Sequence, residues 1–192
     1  MLKKIIIVTS GGNSRDIVID LLYQGFSVEG YIDKNFSNEF KDLKYLGDDS
    51  FKFENHKNSN FIITLGSAGD LKLRNKLYEL YKMKLINFIH STSYVSNYVS
   101  MARNSNIIVM MNSVIKANSF IGKNVFINSN SSIGHHVSIG DNSVISLGVM
   151  IGGNTKIGKN CFIGMGALIF ENLSIKDNTV VRAGQIVNKN II

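Results

Sequence analysis

The chain has 192 residues, 44% of them hydrophobic, with no Trp and no Pro, enough to bury a sizeable core in one domain or in two small ones. No apolar run reaches the ~20 residues that a membrane-spanning helix needs, and the single cysteine, Cys161, excludes an intrachain disulfide and fits a reducing cytoplasm. The net charge of +7 is uneven, with 13 basic and 11 acidic side chains in residues 1–100 against 8 and 3 in residues 101–192. Without a basic run or interleaved aromatics, this excess points to a phosphorylated small molecule and not to nucleic acid.

The chain begins Met1-Leu2-Lys3-Lys4 and runs into Ile5–Val8. That apolar run is too short for a signal peptide and reads as a buried first strand. Next comes a turn, Ser10-Gly11-Gly12-Asn13-Ser14. The spacing predicts a helix over Arg15–Gln24 with Ile17, Val18, Leu21 and Leu22 on its apolar face and Gly25 as its stop. Phe26–Ile32 reads as a second strand, Phe61–Leu65 as a third and Leu85–Ile89 as a last. Asp70–Tyr81 reads as a helix with Leu73, Leu77 and Leu80 on one side. The loops around Lys34–Glu39 and Asp48–Asn60 are polar and carry no motif. Alternating strands and helices predict a small Rossmann-like parallel α/β domain over residues 1–90, followed by a junction at 91–108.

The turn at Gly11-Gly12-Asn13-Ser14-Arg15 has the makings of an anion site, because free N–H groups at a helix start point at a ligand. It lacks full G-x-G-x-x-G spacing, and a plain strand-to-helix turn that needs glycine explains it equally well. Asp33 ends the second strand, where such folds place a ribose or base contact; a capping role fits it as well.

The strongest pattern begins at Val109. From there fourteen positions six residues apart, through Ile115, Ile121, Ile127 and onward to Val181 and Val187, are all Ile or Val. The following residue is often Gly, and the fourth after the anchor is small or β-branched. Neither a helix nor a plain strand has a period of six; a parallel β-helix does. Three hexads make an 18-residue coil, and residues 109–192 form the β-helix domain.

Two of the four histidines, His135 and His136, lie inside this array. Neighbours on extended backbone diverge, and no Cys, Asp or Glu cluster lies beside them, so they predict no metal site. One coil after His135 comes Gly153. A general base beside an unobstructed backbone N–H suits acyl transfer; two exposed polar residues and a corner glycine are the plainer alternative.

These residues resemble a family of bacterial sugar acetyltransferases that join a nucleotide-sugar-binding α/β domain to a left-handed β-helix of hexapeptide repeats. The family includes nucleotide 4-amino-sugar N-acetyltransferases and sialic acid O-acetyltransferases. The stretch Ile127–Asp141 aligns with it without gaps. The resemblance implies that His135 is the catalytic base, that Asn128 and His136 meet the substrate, and that Gly153 faces the thioester carbonyl. It implies that Gly152, Gly153, Gly164, Gly166 and Ala167 shape an acetyl-CoA groove, and that Gly11, Gly12, Asn13, Arg15 and Asp33 bind the nucleotide sugar. It also implies a left hand, a cytoplasmic homotrimer with sites between subunits, and acetyl-CoA as cosubstrate without a metal. The chain departs from the family where an acidic residue should flank the base on either side, since Gly134 and His136 stand there, and where Val144 replaces a second histidine. N-acetylation of a nucleotide-linked amino sugar is the leading expectation. O-acetylation of a sialic acid or another sugar is the alternative, and a non-catalytic trimeric binding protein is a third.

Overall fold

The computed structural model describes residues 4–48 and 56–192; part of the polar loop expected at Asp48–Asn60 lies outside them. The N-terminal unit contains β1 (Lys4–Val8), α1 (Gly12–Tyr23), β2 (Ser27–Ile32), β3 (Ser59–Ile63) and α2 (Leu71–Tyr81). The strands pair in parallel in the order β2-β1-β3. Alternation along β1 divides its side chains between two layers. Ile5 and Ile7 pack with Ile17, Val18 and Leu21 of α1, while Ile6 and Val8 pack with Phe61, Ile63 and Tyr81 on the α2 side.

Two expected helix faces differ from those observed. Leu22 is 52% exposed, and on α2 Leu73 and Leu80 are 46% and 58% exposed. The residues that α2 buries fully are Arg74 and Tyr81. The reason is that α2 rests against the C-terminal half through Arg74. Its guanidinium donates to the carbonyls of Asn124, at 3.1 and 3.2 Å, and of Leu65, and lies over the Phe126 ring at 5.5 Å. Burial lowers its pKa to about 9, so it remains a cation at neutral pH. An apolar stripe on a helix could not have predicted a buried cation.

The C-terminal half is a left-handed-type parallel solenoid of about six turns. Its strands are two residues long and stack into three sheets of six, six and five. The first sheet runs through Ile108–Val109, Phe126–Ile127, Val144–Ile145, Phe162–Ile163 and Val180–Val181, each strand 18 residues after the last. The second sheet contains Ser132–Ile133 and Met150–Ile151, and the third contains Ser138–Ile139 and Lys156–Ile157. All fourteen anchors are buried, none more than 4% exposed. The small inward position is often Ser for a further reason. Ser113, Ser119, Ser131 and Ser143 each donate a hydroxyl to a backbone carbonyl 15 residues on, at 2.8–2.9 Å, so the polar core atoms are satisfied. Corners are turned by residues in the left-handed conformation, mostly Asn.

The solenoid starts at Phe88, well before residue 109. Phe88–Ile89 pairs with Ile108–Val109, Tyr94–Val95 with Val114–Ile115, and Ser100–Met101 with Phe120–Ile121, each at an offset of 20. The segment expected as a junction is therefore a first coil, and of the strand expected at Leu85–Ile89 only an isolated bridge from Leu85 to Phe61 reaches the N-terminal sheet. Two extra residues before Ile108 put this coil out of phase with the hexads and hid it in the sequence. The insertion carries Asn106, whose side chain accepts from the N–H of Ile63 at 2.8 Å and donates to the Ile63 carbonyl at 3.2 Å. Asn106 and Arg74 together fasten the N-terminal unit to the solenoid corner and to the first sheet, whose outward residues Ile108, Phe126 and Val144 it covers.

Candidate functional site

His135 and His136 sit at the corner between the second and third solenoid sheets, and both are exposed. The hexad register places Gly153 one coil on, and the geometry agrees. A Cβ on Gly153 would lie 2.7 Å from His135 Cε1 and 2.9 Å from Nε2, so the ring rests where a side chain would otherwise be. The coils are clasped beside it by the Asn154 N–H, which donates to the His135 carbonyl at 2.9 Å. Among the described residues the Gly153 N–H has no hydrogen-bond partner. A ring nitrogen and an uncommitted N–H thus share one small patch.

The two histidines do not diverge as extended neighbours would. His136 has φ 58°, which folds its ring back onto His135. Their Nδ1 atoms are 3.0 Å apart, and His136 Nε2 lies 3.2 Å from the side-chain amide of Asn118. Asn118 was not anticipated, although counting 18 residues back from His136 would have found it.

A groove of about 340 Å³ crosses the second sheet over Ser132, Met150, Gly152, Leu168, Phe170 and Glu171. Gly152 has no room for a side chain, because a Cβ there would meet the Glu171 nitrogen at 2.5 Å; Gly164 is equally tight against Ala183. Gly166 turns a corner at φ 65°, and Ala167 points into the core, so only its backbone can meet a ligand. Asn128 is not beside His135. It lies at another corner of the coil, 6% exposed, with its side-chain oxygen accepting from the Ser129 N–H at 2.8 Å. Val144 is fully buried beneath the N-terminal unit, so its side chain is not open to a ligand.

A second cavity, of about 300 Å³, opens at the C-terminal ends of β1 and β2. Its lining includes Val8, Thr9, Ile32, Asp33, Leu73 and Tyr81. Parallel α/β sheets bind ligands at this edge. Asp33 is tied to the glycine turn through one carboxylate oxygen, which accepts from the Ser10 N–H at 2.6 Å and the Ser10 hydroxyl at 2.7 Å. Thr9 has φ 76°, rare for a β-branched residue. It is held there by a hydroxyl cluster: Thr64 Oγ1 and Ser14 Oγ donate to its carbonyl at 2.9 and 3.1 Å. Leu73 and Thr9 line this cavity without any motif to mark them, and the spacing of Leu73 reads as core.

Gly11 and Gly12 are exposed at the start of α1, with Asn13 half-buried behind them, and no side chain caps this helix start. Arg15 does not line the cavity. It is paired with Asp42 at 2.7 Å and lies over the Phe40 ring, 5.8 Å from its centroid. The hydrogen bond from Arg15 lowers the Asp42 pKa, and the same bond raises that of Arg15. His56 and His90 are used structurally. His56 contacts Glu29 at 2.8 Å, and His90 lies 3.7 Å from Asp20, a buried carboxylate that also accepts from Ser91. Among the described residues no three His, Cys, Asp or Glu side chains gather as a metal site, and no helix is long and apolar enough to cross a membrane.

This solenoid is of the hexapeptide-repeat type by sequence as well as by shape. Residues 118–153 match the model of the bacterial transferase hexapeptide (six repeats), and residues 154–189 match that of the hexapeptide repeat of succinyl-transferase. No curated protein matches the sequence. Among solved structures, a mutant GDP-perosamine N-acetyl transferase from Caulobacter crescentus, in complex with CoA and GDP-perosamine, is similar with a TM-score of 0.78 at 22% identity over 100% of this chain and 91% of that one. PerB from Caulobacter crescentus, in complex with the same two compounds, gives 0.74 at 23% identity with the same coverage. The acetyltransferase domain of PglB from Neisseria gonorrhoeae gives 0.63 at 16% identity over 99% of this chain and 93% of that one. The likeness covers both halves of the chain and establishes the shared fold.

Proposed function

We propose that the protein is an acetyl-CoA-dependent N-acetyltransferase acting on the amino group of a nucleotide-linked sugar. The observation that carries this reading is the His135 ring seated on Gly153, whose N–H is uncommitted. His135 Nε2 takes a proton from the sugar amine as the amine nitrogen attacks the thioester carbonyl. The Gly153 N–H receives the developing oxyanion, and the proton passes to the departing thiolate. The chemistry asks for no metal. The groove over Gly152, with the backbone at Gly164, Gly166 and Ala167, accommodates the coenzyme, as coenzyme A is held by the similar proteins of Caulobacter crescentus.

In the same reading the N-terminal unit is a Rossmann-like nucleotide-sugar binder. The cavity at Asp33 receives the ribose or base, and the N–H groups at Gly11, Gly12 and Asn13 face the diphosphate. The active form is a cytoplasmic homotrimer. The N-terminal unit covers the first sheet, while His135 lies at the corner of the other two, so a substrate held by one subunit reaches the base of a neighbour. The outward side of the second sheet is apolar enough to be covered, with Tyr94, Met150 and Ile186 at 61%, 50% and 62% exposure. Asn128 meets the substrate only in such an assembly.

Turnover of acetyl-CoA against nucleotide-linked and free sugars tests this reading. A nucleotide-linked amino sugar is expected to exceed its free counterpart by ~10²-fold in kcat/KM, about 2.7 kcal/mol of transition-state binding. His135→Ala lowers kcat at least ~10²-fold with the assembly intact. Equal efficiency on free sugars moves the protein to sugar O-acetylation, and no turnover on any acceptor moves it to a binding role.

A further inference from the structure

We propose that His136, braced by Asn118, is the positioning residue that sets the tautomer of His135, in the place of an acidic partner. The inference rests on the reading of His135 as general base. The rings meet edge to face at 86°, with centroids 5.2 Å apart. At an Nδ1–Nδ1 distance of 3.0 Å one nitrogen must donate and the other accept, because two lone pairs would repel there. The side-chain amide of Asn118, 3.2 Å from His136 Nε2, continues the network to a third member.

One choice fixes the direction of the whole network. As the side chains stand, Asn118 presents its Nδ2–H, so His136 donates from Nδ1 and His135 carries its proton on Nε2, which is the form of an acid. Half a turn of the Asn118 amide reverses every donor. Its oxygen then accepts from His136 Nε2, His136 Nδ1 accepts from His135, and His135 Nε2 presents a lone pair beside Gly153. Only this second direction gives a base. The imidazolium formed on proton uptake keeps its Nδ1–H on the neutral His136 ring, as it would on a carboxylate, and no extra charge is brought to the site.

The backbone supports the assignment independently. Every other left-handed corner of the solenoid is Asn or Gly, and at the matching positions of this corner the residues are Asn118, Asn154 and Asn172. A residue chosen only to turn the chain here would be Asn. Histidine tolerates the conformation, and the conformation is what brings its ring onto His135.

The test uses two independent readouts. The first needs no substrate. Long-range proton–nitrogen spectra of the ¹⁵N-histidine-labelled protein are recorded in mildly alkaline buffer, with His135→Asn for assignment. His135 is expected with its proton on Nδ1, shifting toward Nε2 in His136→Asn, a variant that keeps the corner. The second is kinetic. His136→Asn should lower kcat by about 10- to 100-fold, the effect of losing the partner that orients an imidazole, with both KM values unchanged. His136→Asp should restore most of the rate, and His136→Asn added to His135→Ala should cost nothing more. A wild-type His135 protonated on Nε2, a His136→Asn kcat within about twofold of wild type, or losses that multiply in the double variant overturn the proposal. An enzyme inactive on every acceptor whose His135 tautomer still follows His136 refutes acetyl transfer and leaves the positioning role standing.

Discussion

In the solenoid each buried anchor has another Ile or Val 18 residues away, and the strands that carry them pair one on the next. In the N-terminal unit the fastening contacts do not recur, such as the Arg74 side chain on the Asn124 carbonyl or the Ile63 N–H on the Asn106 side chain. The difference governs how each half responds to damage. A repeat tolerates change at its outward positions, but an inward defect disturbs the coils on both sides of it. A unit held by single-use contacts fails at one of them, without a neighbour to share the load.

The largest effect expected from this contrast is in the core of the repeat. Ile139→Asp puts a carboxylate among fully buried Ile133 and Ile145 and should cost several kcal/mol. Denaturation followed by circular dichroism should find no native baseline, and a normal transition would contradict the hexad register. Next comes the fastening between the halves. Arg74→Leu leaves the Leu65 and Asn124 carbonyls unpartnered and should cost about 1–3 kcal/mol. Hydrogen exchange should show the loss in β1–β3 and α2 while the coils beyond Phe126 stay protected; a uniform loss would mean that the halves unfold as one. Gly153→Ala should leave the solenoid standing, since the three atoms nearest its Cβ all belong to the movable His135 ring. Displacing that ring should lower kcat about tenfold, or 1.4 kcal/mol. Gly134→Ala is the control: its Cβ would meet the Gly153 backbone nitrogen at 2.7 Å, so melting temperature and activity should fall together. The smallest effect is at Arg15. Its exposed pair with Asp42 holds it away from the cavity, so Arg15→Ala should raise KM for the nucleotide sugar by no more than about threefold, with KM for acetyl-CoA unchanged. A larger rise would place Arg15 on the substrate in the bound state.

The same contrast explains what could be read beforehand. The hexads were legible because Ile at one phase and a small residue at another recur with one period, and periodicity is local information. The pairing of His135 with Gly153 followed from that period alone. The first coil was hidden because two residues displace Phe88–Met101 from the phase. The interior hydroxyls gave only a preference for small residues, because the carbonyls they satisfy lie 15 positions on. On α2 the leucines suggested the wrong face, since a buried cation with backbone acceptors leaves no apolar signature. The His136 ring was judged on extended geometry, whereas a left-handed φ of 58° decides where it points.

The two additional residues before Ile108 separate two kinds of specification along the chain. Downstream, length is quantised: any insertion into a strand that is not a whole number of hexads would rotate an Ile out of the axis. Upstream, Asn106 lies within the one interval where the count is free, and it is there that the N-terminal unit takes hold of the corner. The distance and angle at which that unit is presented can therefore drift with the length and composition of this short interval while the coils keep their phase.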